Sequence, residues 1–271
     1  MPYQASDHTF AICAYGDSPF LESCIASLRA QTEKSHILLC TATPSPFLEE
    51  IAKKYALPLL VNPEKPGIAS DWNFAYASVQ TPLVTLAHQD DIYEPEFLAA
   101  TLAGLNAGGE ALIAFTEYYE IHGDKKLYAK DFLNLRIKKW MLAPLKITAF
   151  QPWVWLRRRM LSVCDPIGCP SVTYVKPNLP ETVFHAKFTC DIDWQTWEAL
   201  SRRKGRFVYV GKPLLGHRMH ADCTTVKTIQ ASDVRSQEDY EMFCAFWPKP
   251  IARGLSKLYS RSQQTRKKQT S

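Results

Sequence analysis

Along the chain, apolar residues fall into short blocks that alternate between two spacings. Thr9 to Tyr15, His36 to Cys40, Leu59 to Val61, Leu83 to Ala87 and Leu112 to Phe115 are short, largely apolar runs. Turn-forming or polar residues border most of them, and strands buried on both faces read this way. Between the runs the spacing becomes helical. Leu21, Cys24, Ile25 and Leu28 stand at i, i+3, i+4 and i+7. Phe47, Leu48, Ile51, Ala52 and Tyr55 mark a second helix; Ile68, Trp72, Ala75, Tyr76 and Val79 mark a third, after Gly67. A fourth runs from about Phe97 to Leu105, with Pro95 in its first turn. Ser18-Pro19 reads as an N-cap followed by a first-turn proline. Strands alternating with helices over short connections predict an α/β fold, with a mostly parallel central sheet flanked by helices. All strand exits then share one edge, and the first half reads as a nucleotide-binding unit.

Beyond residue 118 the alternation breaks down. Lys125 to Trp155 is rich in basic and aromatic residues and is interrupted by Pro144 and Pro152, which suits either an insertion that meets a partner or a solvated amphipathic helix. Asp165-Pro166-Ile167-Gly168-Cys169-Pro170 reads as a loop and Ser171 to Val175 as a strand. Trp194, Trp197 and Leu200 share one face of a later helix, and Arg206 to Val210 and Pro213 to His220 read as two further strands. This divides the chain into an α/β half over 1–118, a second half of the same domain over 119–235, and a helical extension over 236–271.

The chemistry concentrates at Thr81 to Pro95, TPLVTLAHQDDIYEP. A buried strand delivers His88, Gln89, Asp90 and Asp91 to its carboxyl end, where open α/β sheets bind ligands. Adjacent carboxylates there suit a hard divalent cation, and the cation suits a diphosphate. The alternative for a lone Asp-Asp pair is a polar turn that caps the next helix.

Composition narrows the class. Hydrophobic residues make up 46% and charged residues 22%, as in a globular chain. No run of about 20 apolar residues is present, and MPYQASDHTF does not read as a secretory signal, so the expected location is cytoplasmic, at most at the inner face of a membrane. Eight cysteines without a Cys-x-x-Cys pair point to reduced thiols rather than a zinc site. The net charge of +5 belongs to the end of the chain. After Glu241 come Lys249, Arg253, Lys257, Arg261, Arg266, Lys267 and Lys268, and setting these aside leaves 25 basic against 27 acidic residues. A slightly acidic body argues against nucleic acid.

The order of these features resembles the family 2 glycosyltransferases of the GT-A fold, from about Phe10 to Thr225. Phe10 to Tyr15 with Leu21 and Ser27 to Thr32 looks like the family's first strand and helix, and Gly67 with Asn73 like its segment before the central strand. His88-Gln89-Asp90-Asp91 is similar to its variant DXD region, Ile192-Asp193-Trp194 falls where the family has a Glu-Asp pair, and His217-Arg218-Met219-His220 resembles its late basic-histidine motif. The resemblance implies an inverting transfer of a sugar from a nucleoside diphosphate, a UDP-sugar first among donors, to a saccharide or lipid-linked hydroxyl in cell-surface polysaccharide or glycolipid synthesis. It implies Asp193 as general base with Asp191 in reserve, and a divalent metal (Mg2+ or Mn2+) on Asp90, Asp91 and His220. It also implies nucleotide contacts from Ala14, Tyr15, Thr41, Asp71, His88, Gln89 and Asp90, and acceptor or phosphate contacts from Cys169, Pro170, Ser171, Trp194 and Arg218. Trp153, Trp155 and Trp197 are further candidates for stacking on a sugar.

Three positions depart from the family pattern. Thr41-Ala42-Thr43 stands where an acidic base-binding residue is usual, with Asp17 or Asp71 as substitutes. His88 replaces the first carboxylate of DXD, and Ile192 replaces the Glu of Glu-Asp. These keep a non-catalytic sugar-binding or assembly subunit as the competing reading. A nucleotidyltransferase is disfavoured because Ala14-Tyr15-Gly16-Asp17 is not a basic, Gly-rich phosphate loop. In the extension, Phe243, Phe246, Trp247, Ile251, Leu255, Leu258 and Tyr259 interleave with the basic residues, as in an interfacial helix on an anionic membrane. The alternative is a helix packed on the body.

Overall fold

The computed structural model describes residues 1–220 and 232–270, with side chains omitted at 232–233 and 261–270. Cys223, the Thr225 end of the family resemblance, and the side chains of Arg261, Arg266, Lys267 and Lys268 lie outside the described residues.

The first half follows the hydrophobic pattern closely. Strands β1 (His8–Ala14), β2 (His36–Thr41), β3 (Leu59–Val61) and β4 (Leu83–His88) alternate with helices α1 (Leu21–Arg29), α2 (Pro46–Lys54) and α3 (Ile68–Ser78). These strands pair in parallel in the order β3-β2-β1-β4. Their apolar runs are continuous because both faces are covered. On β1, Phe10 and Ile12 join one buried cluster with Leu21, Leu28 and Phe97, whereas Ala11 joins another with Tyr174 and Trp197. Each such side chain, fully buried, contributes roughly 1.5–3 kcal/mol. Ser45 caps α2, its hydroxyl accepting from Leu48 N at 3.3 Å with Pro46 next in line. The same expectation fails at α1, which begins at Leu21 after Phe20, with no side-chain cap. Ser18 instead takes a local bond from Phe20 N.

The second half turns the parallel sheet into a mixed one. β5 (Ile92–Tyr93) and α4 (Phe97–Asn106) follow the central strand, then β6 (Ala111–His122), β7 (Lys125–Leu127), α5 (Leu133–Leu142), α6 (Val154–Leu161), β8 (Val172–Val175) and α7 (Ile192–Ser201). β8 lies antiparallel between β4 and β6, so its exit does not share the edge used by β1 and β4. The two expected strands after residue 205 are one strand, β9 (Arg206–Met219), paired along β6 with register shifts near Glu117. The shifts bend this long pair and let it serve two regions. Its first part lies in the sheet core; its last part pairs with β5, Ile92 opposite Gly216. A Cβ at Gly216 would sit 2.7 Å from the Tyr119 ring, so only glycine permits that approach.

Helices α8 (Ser232–Cys244) and α9 (Lys249–Thr270) form the extension. Phe243, Phe246, Trp247, Leu255 and Tyr259 pack on the main core. Only Ile251 and Leu258 of the apolar residues named in the extension remain strongly exposed. The extension is therefore chiefly a packed element. The seven described cysteines are free.

Candidate active site

β4 ends where Asp91 N donates to the His88 carbonyl at 3.2 Å. This tight turn gathers His88, Asp90 and Asp91, whose ligand atoms all lie within 4.8 Å of one another. Asp91 is fully buried and acts as a bracket for the end of β9. It accepts from His217 Nδ1 at 3.1 Å and from Arg218 N at 2.9 Å. Asp90 Oδ2 pairs with His220 Nε2 at 2.9 Å, and Arg218 Nε donates to the Asp90 carbonyl at 2.9 Å. The Arg218 guanidinium lies 4.5 Å from the Phe20 ring centroid. Arg218 thus positions the turn rather than facing the cavity.

These surroundings set the charges. Burial pushes the Asp90 carboxyl up, but the His88 ring and the His220 hydrogen bond outweigh it, and the net shift is down. Burial opposes charge on His217, but the Asp91 carboxylate prevails and raises its pKa to about 9. His88 moves the other way: burial lowers it, against the pull of the two carboxylates. Its Nε2 is buried with no hydrogen-bond partner among the described residues, and its ring stacks on Trp72 at 5.4 Å. Two carboxylates and an orphaned, preferentially neutral imidazole fit a divalent cation.

Next to this cluster, Gln89 ties the end of β1 in place. Its Oε1 accepts from Tyr15 N at 3.1 Å and its Nε2 donates to the Tyr15 carbonyl at 2.9 Å. Gly16 follows in a left-handed conformation (φ 60°), its N–H bonded to Thr43 Oγ1. Thr41 spends its hydroxyl locally on Thr43. Asp71 accepts from Asn62 Nδ2 at 2.9 Å and from Gly67 N at 3.3 Å, fixing the start of α3. Asn73 clamps residues 183–184 through both ends of its amide.

The same cavity holds a second acidic group. Asp193, in the first turn of α7, lies beside Asp165 of the loop before β8, and its Oδ1 accepts from Trp194 N at 2.8 Å. Burial first, and the Asp193 charge second, hold the Asp165 pKa well above the carboxylate range, against Lys138. Asp191 precedes α7 but makes no side-chain cap. It is buried beside Asp239 and Arg235 of α8, and burial, then Asp239, raises its pKa to about 9. Glu238 accepts the N–H groups of Thr189, Cys190 and Asp191, anchoring this loop.

One cavity of about 1210 Å³ joins the two groups. Ala14, Tyr15, Thr41 and Asp71 line it, as do His88, Gln89, Asp90 and His220, and Cys169, Pro170, Asp191 and Asp193. The remaining sequence candidates do not line the cavity. Asp91 is buried within the cation cluster, and Arg218 is a brace. Ser171 is buried, its hydroxyl on the Gly168 carbonyl. Trp194 is 1% exposed, donates Nε1–H to the Leu161 carbonyl at 2.9 Å and packs on Phe243, so it cannot stack on a ligand. Trp197 is likewise core, and Trp153 and Trp155 lie on the outer surface. Trp72, Asp165, Lys138 and His217 line the cavity without having been singled out for it. Asp165 sits in a proline-flanked loop with no periodicity to mark it; His217 was visible only as part of its motif.

Chain-wide comparison bears on this geometry. A family model described as "Glycosyl transferase family 2" matches residues 9–163, more than half of the chain. The chain belongs to that family. It is a glycosyltransferase of the GT-A fold. No curated protein matches it. Among solved structures, a mannosyltransferase from Pyrobaculum calidifontis in complex with GDP-Man and Mn2+ superposes with a TM-score of 0.64 at 13% identity, covering 96% of this chain and 72% of that one. S. aureus TarS 1–349 in complex with UDP-GlcNAc gives 0.59 at 12%, covering 92% and 70%. Glucosyl-3-phosphoglycerate synthase from Mycobacterium tuberculosis with Mn2+ and UDP-Glc gives 0.56 at 14%, covering 88% and 78%. At these identities the likeness concerns the fold.

Proposed function

We propose that this glycosyltransferase moves a sugar from a nucleoside diphosphate to an acceptor hydroxyl by a single, inverting displacement. The observation that carries the reading is that Asp90 and Asp193 line one cavity. The 1–118 half takes the donor and the 119–235 half the acceptor. Donors of the solved relatives, UDP-GlcNAc, UDP-Glc and GDP-Man, define the class, with a UDP-sugar first. The nucleobase meets the strand ends at Ala14 and Tyr15, with Asp71 as the acidic group within reach of that end.

Asp90, with His88 and Asp91 beside it, would hold a divalent cation, Mg2+ or Mn2+, which when bound neutralises charge on the leaving diphosphate. The protonated His217 adds fixed positive charge on the same side, through its pairing with Asp91. Asp193 takes the acceptor proton as the hydroxyl attacks the anomeric carbon. Asp165, whose carboxyl is held well above the carboxylate range by burial and by the Asp193 charge, stands beside it. The product is a glycoside with inverted configuration and a nucleoside diphosphate.

The test is donor turnover with UDP-glucose, UDP-N-acetylglucosamine and GDP-mannose in the presence of Mn2+ or Mg2+, for wild type and Asp193→Asn. Metal-dependent turnover of one donor, lost in the variant, is the expected result. Sugar-nucleotide binding without turnover of any donor overturns the catalytic reading in favour of a binding subunit.

A further inference from the structure

Thirteen large hydrophobic side chains are strongly exposed among the described residues, and seven of them fall between Leu133 and Val163. They include Trp140 at 84%, Trp155 at 67% and Trp153 at 56%. Core burial accounts for none of these rings, and isolated exposed residues would scatter rather than cluster in one segment. The charge of that segment is one-sided. Between Asp131 and Asp165 there is no acidic residue, while Arg136, Lys138, Lys139, Lys146, Arg157, Arg158 and Arg159 are all basic. Arg157 is buried, and Lys139 and Arg158 pair with Glu117 and Glu198, but Arg136 and Lys146 are exposed.

Helix α5 shows how the surface relates to the site. Asn134, Ile137, Lys138 and Met141, at i, i+3, i+4 and i+7, line the cavity. Leu133 and Trp140 are exposed beside them, and Ile137 and Val163 are at once exposed and part of the cavity wall. The apolar surface therefore reaches the rim of the cavity that holds Asp165 and Asp193.

We propose that this segment, α5 through α6, seats the protein on an anionic lipid bilayer, with the acceptor side of the cavity opening onto it. Exposed tryptophans with interspersed cations and no acid are the chemistry of the bilayer interface. The contact proposed is a peripheral one; no helix among the described residues is long and apolar enough to cross a membrane. The corollary, that the acceptor hydroxyl is carried on a lipid, rests on the transfer reading above; the docking does not. The C-terminal extension is the weaker anchor, since most of its aromatic residues are packed inward.

Co-sedimentation of the full chain with phosphatidylcholine vesicles, and with vesicles enriched in phosphatidylglycerol, tests the docking. Binding only to the anionic vesicles, with a blue shift of tryptophan emission, is expected. Trp140→Ser with Trp155→Ser should reduce it at least tenfold, and Arg136→Ser and Lys146→Ser roughly fivefold each. None of these four side chains lines the cavity, so thermal stability and donor turnover in solution should match wild type. Replacing Arg266, Lys267 and Lys268 with serine should leave binding in place. Loss of binding in that tail variant alone, or anionic binding unaffected by the tryptophan changes, overturns the assignment. A concentration-dependent dimer abolished by Trp140→Ser, without vesicle binding, overturns it in favour of self-association. Donor turnover without vesicle binding would sink the docking alone; vesicle binding without turnover of any donor would sink only the transfer reading.

Discussion

The two ends of the cavity treat carboxyl groups in opposite ways. At the β4 turn, Asp90 and Asp91 are met by imidazoles, a backbone N–H and an arginine brace, and the Asp90 pKa falls. Across the cavity, Asp165, Asp191, Asp193 and Asp239 crowd together, and the pKa values of Asp165, Asp191 and Asp239 rise. The first arrangement favours the ionised form of Asp90, the form in which a carboxylate ligates cations. The second favours protonated carboxyls at Asp165, Asp191 and Asp239, because burial opposes their ionisation. One residue type thus serves two purposes, and the neighbours decide which.

Breaking the first end should cost most. Asp90→Ala is expected to lower donor turnover by about 10³-fold or more and to weaken Mn2+ binding measured by direct titration; retained metal affinity would remove Asp90 from the cation site. At the second end, Asp193→Asn should lower kcat by roughly 10²–10⁴-fold with donor KM little changed. A rise in KM alone would instead make Asp193 a binding group.

Trp194→Phe separates core from site. It leaves the Leu161 carbonyl unpaired and should cost about 1–3 kcal/mol in denaturant unfolding, with donor KM as in wild type. An altered KM with unchanged stability would return Trp194 to the ligand.

The smallest effect concerns pH. Burial, with the Asp239 charge behind it, raises the folded pKa of Asp191 from the ordinary 3.8 to about 9. Its stabilising contribution is complete below about pH 4, and it drains as pH climbs toward about 9 because the folded state retains a proton that the unfolded chain has released. Asp191→Asn should flatten that slope, gaining several °C in Tm relative to wild type at about pH 9. Parallel curves for the two proteins would show that Asp191 ionises normally.

Legibility followed the same division. The β1–β4 half was readable because its runs bury both faces and its connections are short; the β4 turn was readable because the strand delivers its polar residues together. The acidic end was only partly so. Asp193 was found by resemblance, whereas Asp165 comes from a loop 28 positions earlier and meets it only after β8 inserts between β4 and β6. Trp194 was misread because an aromatic stripe at helical spacing looks the same whether a ligand or Phe243 fills the space in front of it.

Local pattern in the sequence determined the strands, most helices and the placement of His88, Asp90 and Asp91 at a strand end, because each depends on residues within a few positions of one another. Contacts between distant segments decided the rest. Arg157 is spent on the carbonyls of Ser201, Arg203 and Gly205, and Arg206 on those of Leu105 and Gly109. Whether a carboxyl binds metal or holds a proton, and whether a tryptophan faces core or solvent, is set by the groups that folding brings beside it. Those groups come from other elements, and no local spacing encodes them.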